Sequence, residues 1–271
     1  MPGGPRGAAL IDGWRLALGT LTVFPTKPPR TVDPGVGAQA MTLAPLVGAL
    51  LAVVTVGSLW LLERASSPPL LVAVLTLALL AVLTRAIHLD GLADTADGLG
   101  SARPAHVALE IMRKSDVGPF GVVTLVLVLL VQVAALTELL AQGRGPVSLA
   151  VGLVVSRSLL PLLCSKVVPA ARQDGLGQVV AGSVSRSQLL VAALLSVLLL
   201  VPAMFADSSL GETTLAPEAI VRVVCGAVSG VLVGSALGWW CVRRLGGTTG
   251  DVLGAVVETA FTAALVVLTL L

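Results

Sequence analysis

Apolar runs close to twenty residues long recur along this 271-residue chain, parted by short polar stretches. A helix crossing a bilayer needs about 20 such residues. The runs predict seven spans, at about 43–62, 69–89, 119–141, 146–165, 188–206, 218–242 and 252–271. Pro45 lies near the start of the first, where a proline is tolerated. Residues 8–24 are different: Leu and Val alternate with Asp12, Trp14 and Arg15, and the run stops before Pro25. That pattern predicts a short amphipathic helix on the membrane surface, with a weakly hydrophobic first span as the alternative. Residues 25–37 are rich in Pro and Gly and read as a loop. There is no internal repeat and no separate soluble segment. The prediction is therefore a single all-α domain, residues 1–271: a bundle of about seven transmembrane helices plus an N-terminal interfacial helix.

Composition agrees. The chain is 56% hydrophobic and 12% charged, with a mean hydropathy of +0.99, which excludes an ordinary soluble enzyme. The N-terminal stretch lacks the basic head, apolar core and cleavage site of a secretory signal, so the first span is expected to direct insertion. Cys164, Cys225 and Cys241 lie in or beside apolar runs with no metal-like pairing, and are expected to be buried free thiols. Gly226, Gly230, Gly234 and Gly238 form a four-residue repeat on the sixth span, a smooth stripe for close helix packing.

With the N-terminus in the cytoplasm and seven crossings, thirteen of the seventeen Lys and Arg residues fall on the cytoplasmic side. Only Arg64 and Arg144 fall in outer loops, and the outer 207–217 loop has acids but no base. This matches the positive-inside rule and predicts a multi-pass inner-membrane protein whose acidic motifs face the cytoplasm.

The longest charged interval runs from Arg85 to Gly121. Within it Asp90, Asp94 and Asp97 stand at i, i+4 and i+7, on one face of a helix. Carboxylates so close repel one another unless a cation sits among them. Their hard oxygens suit Mg²⁺, or Mn²⁺, better than zinc. Gly91, Gly98 and Gly100 would admit a diphosphate, and the bases Arg103, Arg113 and Lys114 follow. The plain alternative is a solvated acidic connector.

The same interval carries a family resemblance. HLDGLADTADGLG, then ALEIM and VGPFGVV, resemble cobalamin synthase, the adenosylcobinamide-GDP ribazoletransferase family. LTVFP at 21–25, LGGTTGDVLGAVVE at 245–258 and, more weakly, ARQDGLGQ at 171–178 extend the likeness along the chain. One departure stands out: Lys114, Ser115 and Asp116 reverse the family's order of acid, small residue and base. The resemblance implies transfer of the adenosylcobinamide-phosphate group from adenosylcobinamide-GDP to α-ribazole or its 5′-phosphate, with release of GMP. It implies Asp90, Asp94 and Asp97 as metal ligands or as base on the ribose hydroxyl, the division between those roles staying open. No nucleic-acid partner is expected. The bilayer is, and the sequence is equally compatible with a homo-oligomer or with contacts to other enzymes of the pathway.

Further site residues follow from charge and position. Arg157, mid-span between two serines, costs about 2.5–3.5 kcal/mol at bilayer depth and should face a partner inside the bundle. Arg85, Arg157 and Glu258 lie about 7–12 Å inside their spans at 1.5 Å per residue, which suggests a polar recess holding an Arg157–Glu258 pair. Arg85, Arg103 and Arg157 are thus candidate substrate ligands. His88, two residues before Asp90, is a candidate catalytic group or a hydrogen-bonding structural one. LGGTTGD at 245–251 reads as a phosphate cradle at a helix N-terminus, with Gly247 and Gly250 against substrate. Asp251 is either a helix cap or, with Glu258 seven residues on, a further metal ligand beside the Asp90–Asp97 segment. His106 and Glu110 are read as a loop residue and a helix-surface residue. Two rival functions are weaker. The CDP-alcohol phosphotransferase pattern fits Asp94, Asp97 and Gly98 but then slips by one residue. A coupled transporter would break a span at mid-membrane.

Overall fold

The computed structural model describes residues 5–206 and 217–271, so nearly all of the expected outer loop at 207–217 falls outside the described part. Those residues form twelve helices and two isolated β-bridges. α1 (Pro5–Leu21) and α2 (Pro34–Thr42) precede the bundle. α2 corrects the loop expected at 25–37. Asp33 Oδ1 accepts the Gly35 and Val36 N–H groups at 2.8 and 3.0 Å, and Pro34 takes the first helical position. α1, at 17 residues, is not among the helices long and apolar enough to cross a membrane. It packs on α2 where Gly13 abuts Gln39, and it buries Asp12 against Arg15 at 3.0 Å.

Among the described residues six helices are long and apolar enough to cross a membrane: α3 (Ala44–Arg64), α7 (Pro119–Ala141), α8 (Gly145–Leu163), α10 (Arg186–Ala206), α11 (Pro217–Leu245) and α12 (Gly250–Thr269). They match six predicted spans. The predicted second span does not run on to residue 89. α4 (Pro69–Leu83) stops at Leu83, and the chain bends by 88° into α5 (Ile87–Gly100). Arg85 and Ala86 make that corner with φ of 53° each, a left-handed backbone rarely adopted by residues with a Cβ. Arg85 is therefore exposed at a bend, not sunk in a span. Its Nη2 donates to the Gly19 and Thr20 carbonyls at 2.6 and 3.2 Å, tying the corner to the end of α1. We read α4 as the crossing limb and α5 as lying along the membrane face. α6 (Ala105–Ile111) follows on that face, so the expected 90–117 connector is largely helical.

α8 and α12 are the buried centre, while α7, α10 and α11 turn apolar side chains outward. The glycine stripe on α11 does what its spacing predicts. A Cβ on Gly226 would strike Leu268, on Gly230 Val155 and the Ala260 carbonyl, on Gly234 Leu159, and on Gly238 Leu163. α11 thus seats in the groove between α8 and α12. The cysteines are free, with Cys164 and Cys241 buried and Cys225 half-buried.

The acid-bearing segments and the bases around them gather at one end of the bundle. There lie α5, α6, the start of α7, the α8–α10 connection with its short helix α9 (Gly175–Val180), and the start of α12.

Candidate active site

The site forms where α5 crosses the first turn of α12. Two glycines let the backbones touch. A Cβ on Gly91 would lie 2.7 Å from the Asp251 carbonyl oxygen, and one on Gly254 would lie 3.1 Å from His88 Cα. The crossing sets the α5 carboxylates beside the 245–251 loop, as expected from sequence.

A second set of contacts holds the loop. Ala171 N–H donates to the Thr248 carbonyl and Thr248 N–H to the Pro169 carbonyl, both at 2.9 Å. Gly247 sits inside this pairing, where a Cβ would be 2.5 Å from the Pro169 oxygen. Its smallness serves backbone pairing. Gly250 has open space around its Cβ position and lines the cavity. Thr249 is the N-cap of α12, accepting the Val252 N–H at 3.2 Å. Asp251 is therefore not the cap. Its Oδ2 meets Arg172 Nη2 at 2.5 Å and the Thr249 hydroxyl at 3.3 Å.

The three aspartates of α5 share a helix but have different surroundings. Asp97 is buried, and its Oδ2 and Oδ1 accept the Gly118 and Gly121 N–H groups at 2.7 and 2.9 Å. It caps α7 from the neighbouring helix. Asp94 is half-buried, and its carboxyl is pushed up to about 7, first by burial, then by Asp90 and Asp251, with Arg172 opposing. Asp90 is exposed and lines the cavity. The structure thus brings Asp90, Asp94 and Asp251 into one electrostatic group, coupled to Arg172.

The cavity has a volume of about 390 Å³, bounded by Asp90, Asp251 and residues 248–250 on one side and by Arg113, Arg172, Asp174 and Gln178 on the other. Arg113 pairs with Asp174 across it. Beyond Ile87 and Asp90 lies a second, more apolar groove of about 580 Å³ with Arg85 at its wall. Asp90 stands between the two.

His88 is buried, and neither ring nitrogen has a partner among the described residues. Burial, then the charge of Arg157, holds its imidazole well below the usual range, so the ring is neutral. A small void of about 60 Å³ beside His88, Gly177 and Gly250 lies under the main cavity.

The remaining expected residues lie apart. Arg157 is fully buried, but its Nη1 donates to Ser156 Oγ at 2.9 Å and its Nε and Nη2 have no partner. The expected contact with Glu258 is not made. Glu258 Oε2 accepts from Gln132 Nε2 at 2.9 Å instead. Arg103 is exposed outside the cavity, its carbonyl taking Arg244 Nη2 at 2.5 Å. Asp116 is exposed in the turn before α7.

Sequence reading did not assign Arg172, Asp174, Gln178 or Thr248 to the site. The signal was the ARQDGLGQ run, a dense polar patch between two apolar spans. Its target was invisible because Arg172 and Asp251 lie 79 residues apart and are brought together by the bridge of Ala170 to Thr248.

The cobalamin-5-phosphate synthase family matches residues 13–269 of the chain. Curated relatives named adenosylcobinamide-GDP ribazoletransferase are similar along nearly their whole length. The Nocardioides sp. protein is 40% identical over 94% of this chain and 96% of its own. The Frankia casuarinae protein is 37% identical over 94% and 93%, and that of Stutzerimonas stutzeri 37% over 94% and 96%. No solved structure matches the chain.

Proposed function

The chain belongs to the cobalamin-5-phosphate synthase family, and from that premise we propose that its site joins adenosylcobinamide-GDP to α-ribazole or the 5′-phosphate of α-ribazole, releasing GMP. The observation that carries the reading is the crossing of α5 and α12, which sets Asp90 and Asp251 against a cavity walled by Arg113 and Arg172, with Asp94 close enough to feel the charge of both carboxylates.

The chemistry follows from the groups present. A ribose hydroxyl oxygen attacks the phosphorus that bears the cobinamide alcohol. The bond from that phosphorus to the bridging oxygen breaks, and the oxygen leaves on GMP. The hydroxyl proton passes to a carboxylate. Asp94 suits that role, because a group titrating near neutrality is a base without holding the proton too tightly. Asp90 and Asp251 hold the reacting groups in register from two helices. The arginines and the open N-terminus of α12 balance phosphate charge.

The residues fit a divalent cation. Carboxylates that raise one another's proton affinity are relieved by positive charge. Among the described residues no three His, Cys, Asp or Glu side chains already converge as a metal cage. That suits Mg²⁺, or Mn²⁺, which is commonly held by one or two carboxylates plus substrate phosphates. Asp90 and Asp251 would hold it, leaving Asp94 to take the proton; bound there, it would neutralise the diphosphate. Asp97 is engaged with α7, and Glu258 lies deeper, with Gln132.

The site end of the bundle carries most of the bases, which supports a cytoplasmic orientation in the inner membrane. The test is GMP release from adenosylcobinamide-GDP by purified protein, with α-ribazole and its 5′-phosphate compared, with and without Mg²⁺. Absence of GMP release under all these conditions overturns the reading.

A further inference from the structure

Two cavities meet at Arg113 and Arg172. One is the 390 Å³ site cavity. The other, of about 260 Å³, lies on their far side and is lined by His106, Leu109, Glu110 and Gln173 together with the same two arginines. Resting on the nucleotide-donor reading above, we propose that these cavities hold the guanosine-monophosphate end of the donor, with phosphate on Arg172, Arg113 and Thr248 and guanine against Glu110.

The phosphate end rests on unsatisfied donors. Thr248 is 1% exposed, lines the site cavity, and its Oγ1 has no partner. Arg172 spends Nη2 on Asp251, but its Nε–H is buried and unpartnered. Buried polar atoms left without partners are costly and rare, so two of them on one cavity wall call for an acceptor. Beside them the N-terminus of the 20-residue helix α12 opens at Gly250, where no side chain blocks approach. A hydroxyl, a guanidinium N–H and helix N–H groups all donate. That set is complementary to phosphate oxygens.

The base end rests on composition of the second cavity. His106 and Glu110 stand at i and i+4 on α6, hence on one face. Guanine alone among the common bases offers two adjacent N–H donors, N1–H and N2–H, on its pairing edge. A carboxylate accepts both. Adenine presents an acceptor at N1 and is repelled by the same group. The imidazole of His106 supplies a flat face for stacking. Placing the base beyond the arginines sends the other end of the diphosphate toward Asp90 and Asp94, the side where the reacting phosphorus is required.

The experiment is calorimetric titration of purified detergent-solubilised protein with GMP, AMP and inorganic pyrophosphate, in parallel with turnover. Wild type is expected to bind GMP about tenfold or more tighter than AMP, the order of one bidentate base contact. Glu110→Gln should bring that preference to within about threefold and leave pyrophosphate affinity unchanged. Thr248→Val keeps shape, and it and Arg172→Gln should each weaken pyrophosphate and GMP about tenfold. Retention of the GMP preference in Glu110→Gln, or of pyrophosphate affinity in Thr248→Val, overturns the assignment. Failure of wild type to release GMP from adenosylcobinamide-GDP while binding GMP as expected would remove the reaction and leave this subsite standing. Normal turnover with unaltered binding in the variants would do the reverse.

Discussion

Gly91 of α5 and Asp251 of α12 meet backbone to backbone, with room for no Cβ between them. That contact, between positions 91 and 251, brings the carboxylates of the two helices into one site, so its geometry is open to direct test. Gly91→Ala would place a methyl group 2.7 Å from the Asp251 carbonyl oxygen, and helix backbones cannot yield locally. Such overpacking costs about 1–3 kcal/mol. We expect a lowered thermal midpoint and a larger fall in turnover than in Gly254→Ala, whose nearest neighbours stand at 3.1 Å. Gly57→Ala, with nothing within 4 Å, is the neutral control. Equal activity in all three would show that the crossing does not position the site.

The aspartates of α5 should separate by readout. Asp97→Asn turns an amide toward one of two N–H donors and leaves that donor buried, at a cost of about 1–3 kcal/mol. Its signature is destabilisation, seen in a thermal melt. Asp90→Asn, Asp94→Asn and Asp251→Asn should fold and lose turnover by about 10²–10³, the scale of removing an electrostatic stabiliser.

Mg²⁺ should stabilise the wild-type protein against heat in the absence of substrate, and raise stability further with pyrophosphate present, since ligands that bind only the folded state do so by mass action. Asp90→Asn and Asp251→Asn should blunt the Mg²⁺ shift. An unchanged shift in both would place the cation elsewhere.

Asp94 predicts a pH dependence of stability in metal-free protein. Its folded pKa, about 7, lies above the unfolded value of 3.8, so folding favours the protonated form. The group costs nothing below about pH 4, and its cost grows as pH rises to about 7 and is full above it. Asp94→Asn should therefore be more stable than wild type at pH 8, by about 1 kcal/mol after solvent screening, and the gain should vanish near pH 4. Melts of both proteins across that range check the sign.

Topology is testable in a variant lacking Cys164, Cys225 and Cys241. Single cysteines at Ser101, after α5, and at Ser66, between α3 and α4, should label from opposite sides of the membrane, Ser101 from the cytoplasm. Labelling of both from one side would remove α4 as a crossing limb.

Six of the spans, the glycine stripe of α11 and the single acid-bearing helix were legible in the sequence, because each depends on local spacing alone. Apolar length sets what must leave water, and a four-residue glycine repeat makes a smooth face whatever it packs against. The loop–helix pairing of 245–251 with the 90–97 segment was also legible, since both motifs had to lie at the same membrane face. What spacing does not encode is which neighbour each charge meets. Asp97 reads like Asp90 and Asp94 on a helical wheel, yet the approach of α7 turns it into a cap. Arg85 reads as intramembrane until two left-handed residues end α4 early, a backbone choice that hydropathy does not register. Arg172 joins Asp251 only through the bridge of Ala170 to Thr248. Sequence alone determined which side chains had to avoid lipid; the tertiary contacts decided their partners, because a desolvated charge takes the nearest available donor or acceptor in space, however far away it lies along the chain.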